Sequence, residues 1–357
     1  MSTPPRVPDT AEIHRSRLRD PRVWLGVAIT VVAMWFALRD VDLRLVAAEF
    51  RRANLVVLLG LSVPSYVLVV WLRALRWRHL TNPIQEMPRA AMFRATAVGF
   101  LANNVFPLRM GEIVRSWYLG RECGVRPASI FGTVVIERVI DTTMVILLAL
   151  AVLSFSGGPD SGVWRTGLLW LLPVALLPFA ALFWLRIAPE QATALGSRLA
   201  GPLPRGVRDF GRRQLANFTE GLGALRGGSH LLWIGLHTLA IWLFASTIPM
   251  LAGFLALDVE FDSLSDALAA SWMTLAAVGI AVALPSAPGF FGVYHSACRL
   301  VLERFGMAPE MAVALGTLLH AVFWVTLTLV GFVVLRARHT RFEDLDRVAG
   351  GAEPGPE

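Results

Sequence analysis

The sequence predicts an all-α polytopic membrane protein with about six full transmembrane helices and two re-entrant helical hairpins in an inverted repeat, eight to ten hydrophobic segments in all. Three observations carry that expectation. Hydrophobic residues make up 55% of the 357 positions and charged residues only 17%, and the mean hydropathy of +0.58 lies above the range of soluble domains. A helix needs about 20 apolar residues to cross the ~30 Å hydrocarbon layer, and stretches of that length recur from 23 to 336. Two further stretches break part-way at Pro, Gly and Asn, which a lipid-facing helix does not tolerate.

Residues 1–22 form a polar, arginine-rich tail expected on the cytoplasmic side. The apolar run that follows has no small-residue cleavage pattern, so it reads as a first span and not as a removed signal. Full spans are expected at about 23–39, 54–74, 127–156, 164–186, 229–257 and 311–336, within a single transmembrane domain over 23–338. Segment 39–53 mixes arginines with Asp40, Asp42 and Glu49 and is expected as an interfacial amphipathic helix. The last residues, 339–357, rich in Gly, Pro and Glu near the end, are expected to form a disordered tail.

The basic clusters at 6–22, 73–78, 186–226 and 336–341 fall on one side of the membrane if both termini are cytoplasmic, with 187–228 as a cytoplasmic loop. That distribution accounts for the net charge of +7, so nucleic acid is not expected as a partner. Every basic residue other than histidine is arginine. Cys123 and Cys298 are too few for a disulfide scaffold and lack metal-ligand spacing. Neither a metal nor a cofactor is expected.

The first broken stretch, 90–124, is interrupted at Asn103, Asn104 and Pro107; the second, 264–305, at Pro285, Pro288, Gly289 and Gly292. Read as hairpins, they divide the chain into span, span, hairpin, span over 23–156 and again over 164–336, entered from opposite sides. Discontinuous helices meeting near the membrane midplane are the plan of alternating-access transporters. The alternative is that both are kinked ordinary spans, which raises the count to about ten.

Charges inside apolar segments are the candidate site. Arg109, Glu112 and Arg115 follow the first break at helical spacing, so Glu112 can pair with either arginine and leave a guanidinium for a lipid phosphate. An interfacial cluster that anchors the hairpin explains them equally well. Glu137, Arg138 and Asp141 open the next span; an intramembrane charge costs at least ~2.5 kcal/mol on insertion scales, so an interior position is expected. They either neutralise Arg109 or Arg115 or carry a proton, and Arg94 is a further candidate partner. His295, after the second break, and His320, in the last span, are candidates for proton coupling or for ordinary core packing.

No Gly-rich phosphate loop, His-Glu-x-x-His, paired-Cys or Gly-x-Ser-x-Gly motif occurs, so the chain does not read as an enzyme. Four motifs in order, Arg73-x-x-Arg76-Trp77, Asn104-x-x-Pro107-x-Arg109-x-Gly111-Glu112-x-x-Arg115, Glu137-Arg138-x-x-Asp141 and Pro285-x-x-Pro288-Gly289-x-x-Gly292, resemble the transmembrane, flippase-like domain of lysylphosphatidylglycerol synthases and its stand-alone relatives. The resemblance covers about 20–338. It implies a bacterial inner-membrane protein that translocates a polar-headgroup phospholipid or lipid-linked glycan. Its partners would be membrane lipids and a lipid-modifying or glycosyl-transfer enzyme. A non-transporting accessory role in envelope lipid or glycan assembly is the alternative. The chain is expected to lack the aminoacyl-transfer domain. It also departs from many relatives in carrying His295 where they have an acidic residue, which weakens the case for a cationic headgroup.

Overall fold

A computed structural model describes residues 21–155 and 228–349, apart from 285 and 339, together with scattered positions between 162 and 198. All regular structure among the described residues is helical. α1 (Pro21–Leu38) begins on a proline, whose missing N–H costs nothing in a first turn. It turns by 81° into α2 (Leu43–Arg52) through Asp40, at φ 58°, and Asp42 caps α2 by accepting from Arg44 N at 2.7 Å. α3 (Leu55–Thr81) is 27 residues long, about 40 Å at 1.5 Å per residue. α4 (Arg89–Val105) ends at the Pro107 turn, after which α5 runs over Gly111–Cys123 and α6 over Pro127–Phe155.

In the second half α7 (Gly228–Leu239) and α8 (Thr247–Ala256) are joined by a π-helical turn, Ala240–Ala245, and together form one span, His230–Ala256. α9 (Leu264–Ala281) leads into the 285–292 break. α10 (Val293–Leu302), α11 (Pro309–Ala337) and α12 (Phe342–Ala349) complete the order.

Among the described residues four helices are long and apolar enough to cross a membrane, or five if the bent α1–α2 pair is one span. They are α3, the α7–α8 unit, α9 and α11. α6, at 29 residues, is also long enough to cross but carries Glu137, Arg138 and Asp141. Helices thus stand at five of the six expected span positions, and 164–186 falls largely outside the described residues. α5 and α10, of 13 and 10 residues, are too short to cross at about 20 and 15 Å. α9 alone reaches the length and hydropathy of a span, more than the first arm of a hairpin needs.

Packing between the halves is reciprocal. α4 lies against α11, and α9 lies against α6, so the first arm of each broken stretch rests on the last long helix of the other half. α3 packs on α8. Within each half the two arms pack together, α4 on α5 and α9 on α10, and α10 also packs on α1 and α11.

Two segments flank the bundle, and one of them differs from expectation. α2 is amphipathic as expected; Val46 is buried with Val313 and Ala314 of α11, while Leu43 and Leu45 stay exposed. Residues 342–349 form α12 where a disordered tail is expected, because Leu345, Val348 and Ala349 repeat at helical spacing and are buried. α12 packs on α5, and Phe342 stacks on Phe106 at 5.5 Å between centroids.

Candidate functional site

The two breaks meet. The turn Pro107–Arg109 touches the turn Pro288–Phe290, and α1 lies against the first of them. Arg109 adopts φ 57°, a left-handed conformation costly for a side chain, and its Nη1 donates to Val282 O at the end of α9 at 2.7 Å. Its guanidinium also lies 5.9 Å from the Phe290 ring, and Glu112 accepts from it at 3.3 Å. Arg109 therefore bridges the tips, and Glu112 pairs with it.

The polar residues of the breaks hold the backbone in place. Four N–H groups at a helix start lack intrahelical partners; Asn103 Oδ1 accepts one of them, from Gly111 N at 2.8 Å. Asn104 Nδ2 donates to Trp324 O at 3.2 Å and to Thr328 Oγ1 at 3.0 Å, while Trp324 Nε1 donates to Asn104 O. Asn104→Leu should cost about 1–3 kcal/mol by removing two hydrogen bonds to α11; a thermal midpoint within about 1 °C of wild type would contradict this.

On the second tip Gly289 and Gly292 take φ 72° and 80°. A Cβ on Gly292 would stand 2.5 Å from Thr30 O, so glycine is what lets α1 approach. Ala287 N donates to Thr30 Oγ1 at 2.9 Å, and His320 Nε2 donates to Gly289 O at 2.7 Å. The His295 and His320 rings lie edge-to-face at 5.0 Å, with Tyr294 stacked on His320 at 4.6 Å. Pro288 begins the 288–290 turn, whereas Pro285 lies outside the described residues.

Beside the first break lies a buried charge network. Glu137, fully buried, is reached by Arg138 Nη2 at 2.6 Å, Arg115 Nη1 at 3.3 Å and Arg76 Nη2 at 3.4 Å. Asp141, one turn along α6, is reached by Arg73 Nη1 at 2.6 Å, Arg76 Nη1 at 2.8 Å and Arg138 Nη2 at 3.1 Å. It also accepts from Trp242 Nε1 at 3.2 Å, a side chain aimed by the π-turn; such turns recur at functional sites. Arg115 lies over the Trp77 ring at 4.6 Å, and Trp77 Nε1 donates to Thr133 Oγ1 at 2.8 Å. Thr238 Oγ1 accepts from Arg76 at 3.2 Å.

Of the residues expected here, Arg115, Glu137, Arg138 and Asp141 come together, Arg109 and Glu112 stand at the tips, and Arg94 pairs with Glu122 away from the network. Arg73 and Arg76 were not among the candidates, although two arginines three residues apart inside a 27-residue apolar helix are a legible signal of interior polarity. Trp242 carried no such signal, because only the π-turn directs it. Among the described residues no group of three or more His, Cys, Asp or Glu is placed to hold a metal ion.

Comparison with known proteins matches residues 23–331 to the family described as the lysylphosphatidylglycerol synthase TM region. The chain belongs to that family. Its members are defined by the transmembrane part and not by the catalytic domain of the synthases, and this chain is accordingly a multi-pass membrane protein of the lysylphosphatidylglycerol synthase TM family. It is also similar to the glycosyltransferase AglD of Haloferax volcanii, at 24% identity over 333 residues, covering 83% of this chain and 51% of that protein. The chain thus spans about half the length of that relative. No solved structure matches it.

Proposed function

We propose that this member of the lysylphosphatidylglycerol synthase TM family is a non-enzymatic lipid translocase of the inner membrane. It moves a polar-headgroup phospholipid or a lipid-linked glycan between leaflets. The observation that carries the reading is the tip-to-tip contact of two broken helices, bridged by Arg109. The reciprocal packing of α4 on α11 and α9 on α6 supports an inverted repeat of 23–156 and 164–336, and the arginine clusters support cytoplasmic termini. In such repeats broken helices flank the substrate near the midplane and each half rocks against the other.

In this reading the Arg109 to Val282 bond is the latch. A headgroup phosphate reaching Arg109 competes with the carbonyl, since a charge-assisted bond to an anion outbids one to a neutral oxygen. The tips then part and expose the Arg115 side of the site. A second reading, an accessory protein for envelope glycan assembly, is favoured by the similarity to a glycosyltransferase.

Reconstitution in liposomes with labelled bacterial lipids, followed by inner-to-outer leaflet transfer, separates the two. Wild type should transfer at least one lipid. Arg109→Ala should fall about tenfold or more, the equivalent of one charged hydrogen bond. Absence of wild-type transfer for every envelope lipid would favour the accessory reading.

A further inference from the structure

We propose that the buried network of α3, α5 and α6 is a binding site for a doubly negative phosphate, a phosphomonoester or diphosphate end and not a zwitterionic or singly charged phosphodiester. This deepens the translocase reading and rests on it for the lipid's transport, though not for its binding. Four guanidinium groups, those of Arg73, Arg76, Arg115 and Arg138, face two carboxylates, Glu137 and Asp141, leaving two positive charges uncompensated among the described residues. Including the Arg109 to Glu112 pair leaves the same excess.

A lysine or histidine in such a place sheds its proton, but a guanidinium stays charged. The excess therefore calls for an anion. The donors to receive it are present: among the described residues Nε of Arg73, Nε of Arg76, and Nε and Nη2 of Arg115 are buried without a hydrogen-bond partner. The Arg76 side chain is 0% and the Arg115 side chain 7% exposed. Entry lies on the Arg138 side, where that side chain is 36% exposed. Planar forks from three helices match the several oxygens of a terminal phosphate, which a single-charge phosphodiester offers with less negative charge.

The same chemistry comes from a lipid headgroup or from free phosphate, and binding to the detergent-solubilised full chain distinguishes them. Dioleoyl phosphatidic acid, dioleoyl phosphatidylglycerol, dioleoyl phosphatidylethanolamine and inorganic phosphate are titrated separately at pH 8. The expected result is phosphatidic acid binding about tenfold or more tighter than phosphatidylglycerol, with phosphatidylethanolamine weakest. Inorganic phosphate binding as tightly as phosphatidic acid would keep the anion site and assign it to free phosphate.

Arg138→Gln, at the most exposed of the four arginines, should cut the preference to about threefold or less, while Arg94→Gln, outside the network, should preserve it. Equal affinity for phosphatidic acid and phosphatidylglycerol, or a preference unchanged in Arg138→Gln, would overturn the proposal. Because no transport is measured, a chain that binds selectively yet fails to transfer lipid would overturn the translocase reading alone.

Discussion

Glu137→Gln should be the most destabilising of the single changes in the charge network, by about 3–5 kcal/mol, the usual cost of breaking a buried ion pair from one side. The amide keeps the volume of the side chain. What it removes is the negative charge that Arg138, Arg115 and Arg76 approach within 3.4 Å, in a position with no exposed surface. Three uncompensated charges would then share one interior, where each costs several kcal/mol to desolvate. The measurement is the temperature at which the monodisperse peak is lost in detergent, expected to drop by about 10 °C or more. Adding Arg115→Gln to Glu137→Gln should recover part of the loss, since it removes one of the orphaned charges. A single variant as stable as wild type would mean that the carboxylate is already protonated or solvated in the folded protein.

Gly111→Ala should prevent the first broken stretch from closing. A Cβ at this position would lie 2.1 Å from Gly99 O and 2.6 Å from Asn103 Oδ1, and the first of these is backbone that no rotamer change moves aside. Overpacking usually costs 1–3 kcal/mol; here α4 and α5 would have to separate, so a loss of about 3 kcal/mol or more is expected, with the Asn103 cap broken as well. Gly60 is the control. It lies within α3 with nothing inside 4 Å of its added Cβ, so Gly60→Ala should be neutral or stabilise by up to about 1 kcal/mol. Expression yield and thermal midpoint of the two variants side by side test the contrast; equal behaviour would refute the close packing of α4 on α5.

Membrane character was readable from the sequence because it depends on local runs: a stretch such as 311–336 must be helical in lipid whatever its neighbours do. The breaks were readable for a related reason, since Pro107, Pro288 and Gly289 interrupt a helix through their own backbone chemistry. Glu137 and Asp141 share a face by spacing alone, and their interior position followed from the cost of charge in hydrocarbon. Their partners did not follow. Arg115 and Arg138 were near in sequence, but Arg73 and Arg76 stand more than 60 residues away on α3, and only the packing of α3 against α6 brings them to Asp141.

Arg94 shows the converse error. Its place in the first arm made it a plausible partner for the network, yet Glu122 on α5 is nearer once α4 folds back on it, and the pair forms there. Arg109 and Glu112 were legible as an i,i+3 pair, whereas the bond to Val282, 173 residues away, was not.

By itself the sequence determined that this chain is a bundle of membrane helices with two interrupted segments and charges held inside, because each of those properties is local: hydropathy, backbone chemistry and desolvation act on a residue and its immediate neighbours. Only the tertiary structure decided that the two interruptions touch through Arg109, and that four arginines converge on two carboxylates. Those contacts join segments remote in sequence, and which donor reaches which acceptor is set by the packing of α3, α5 and α6.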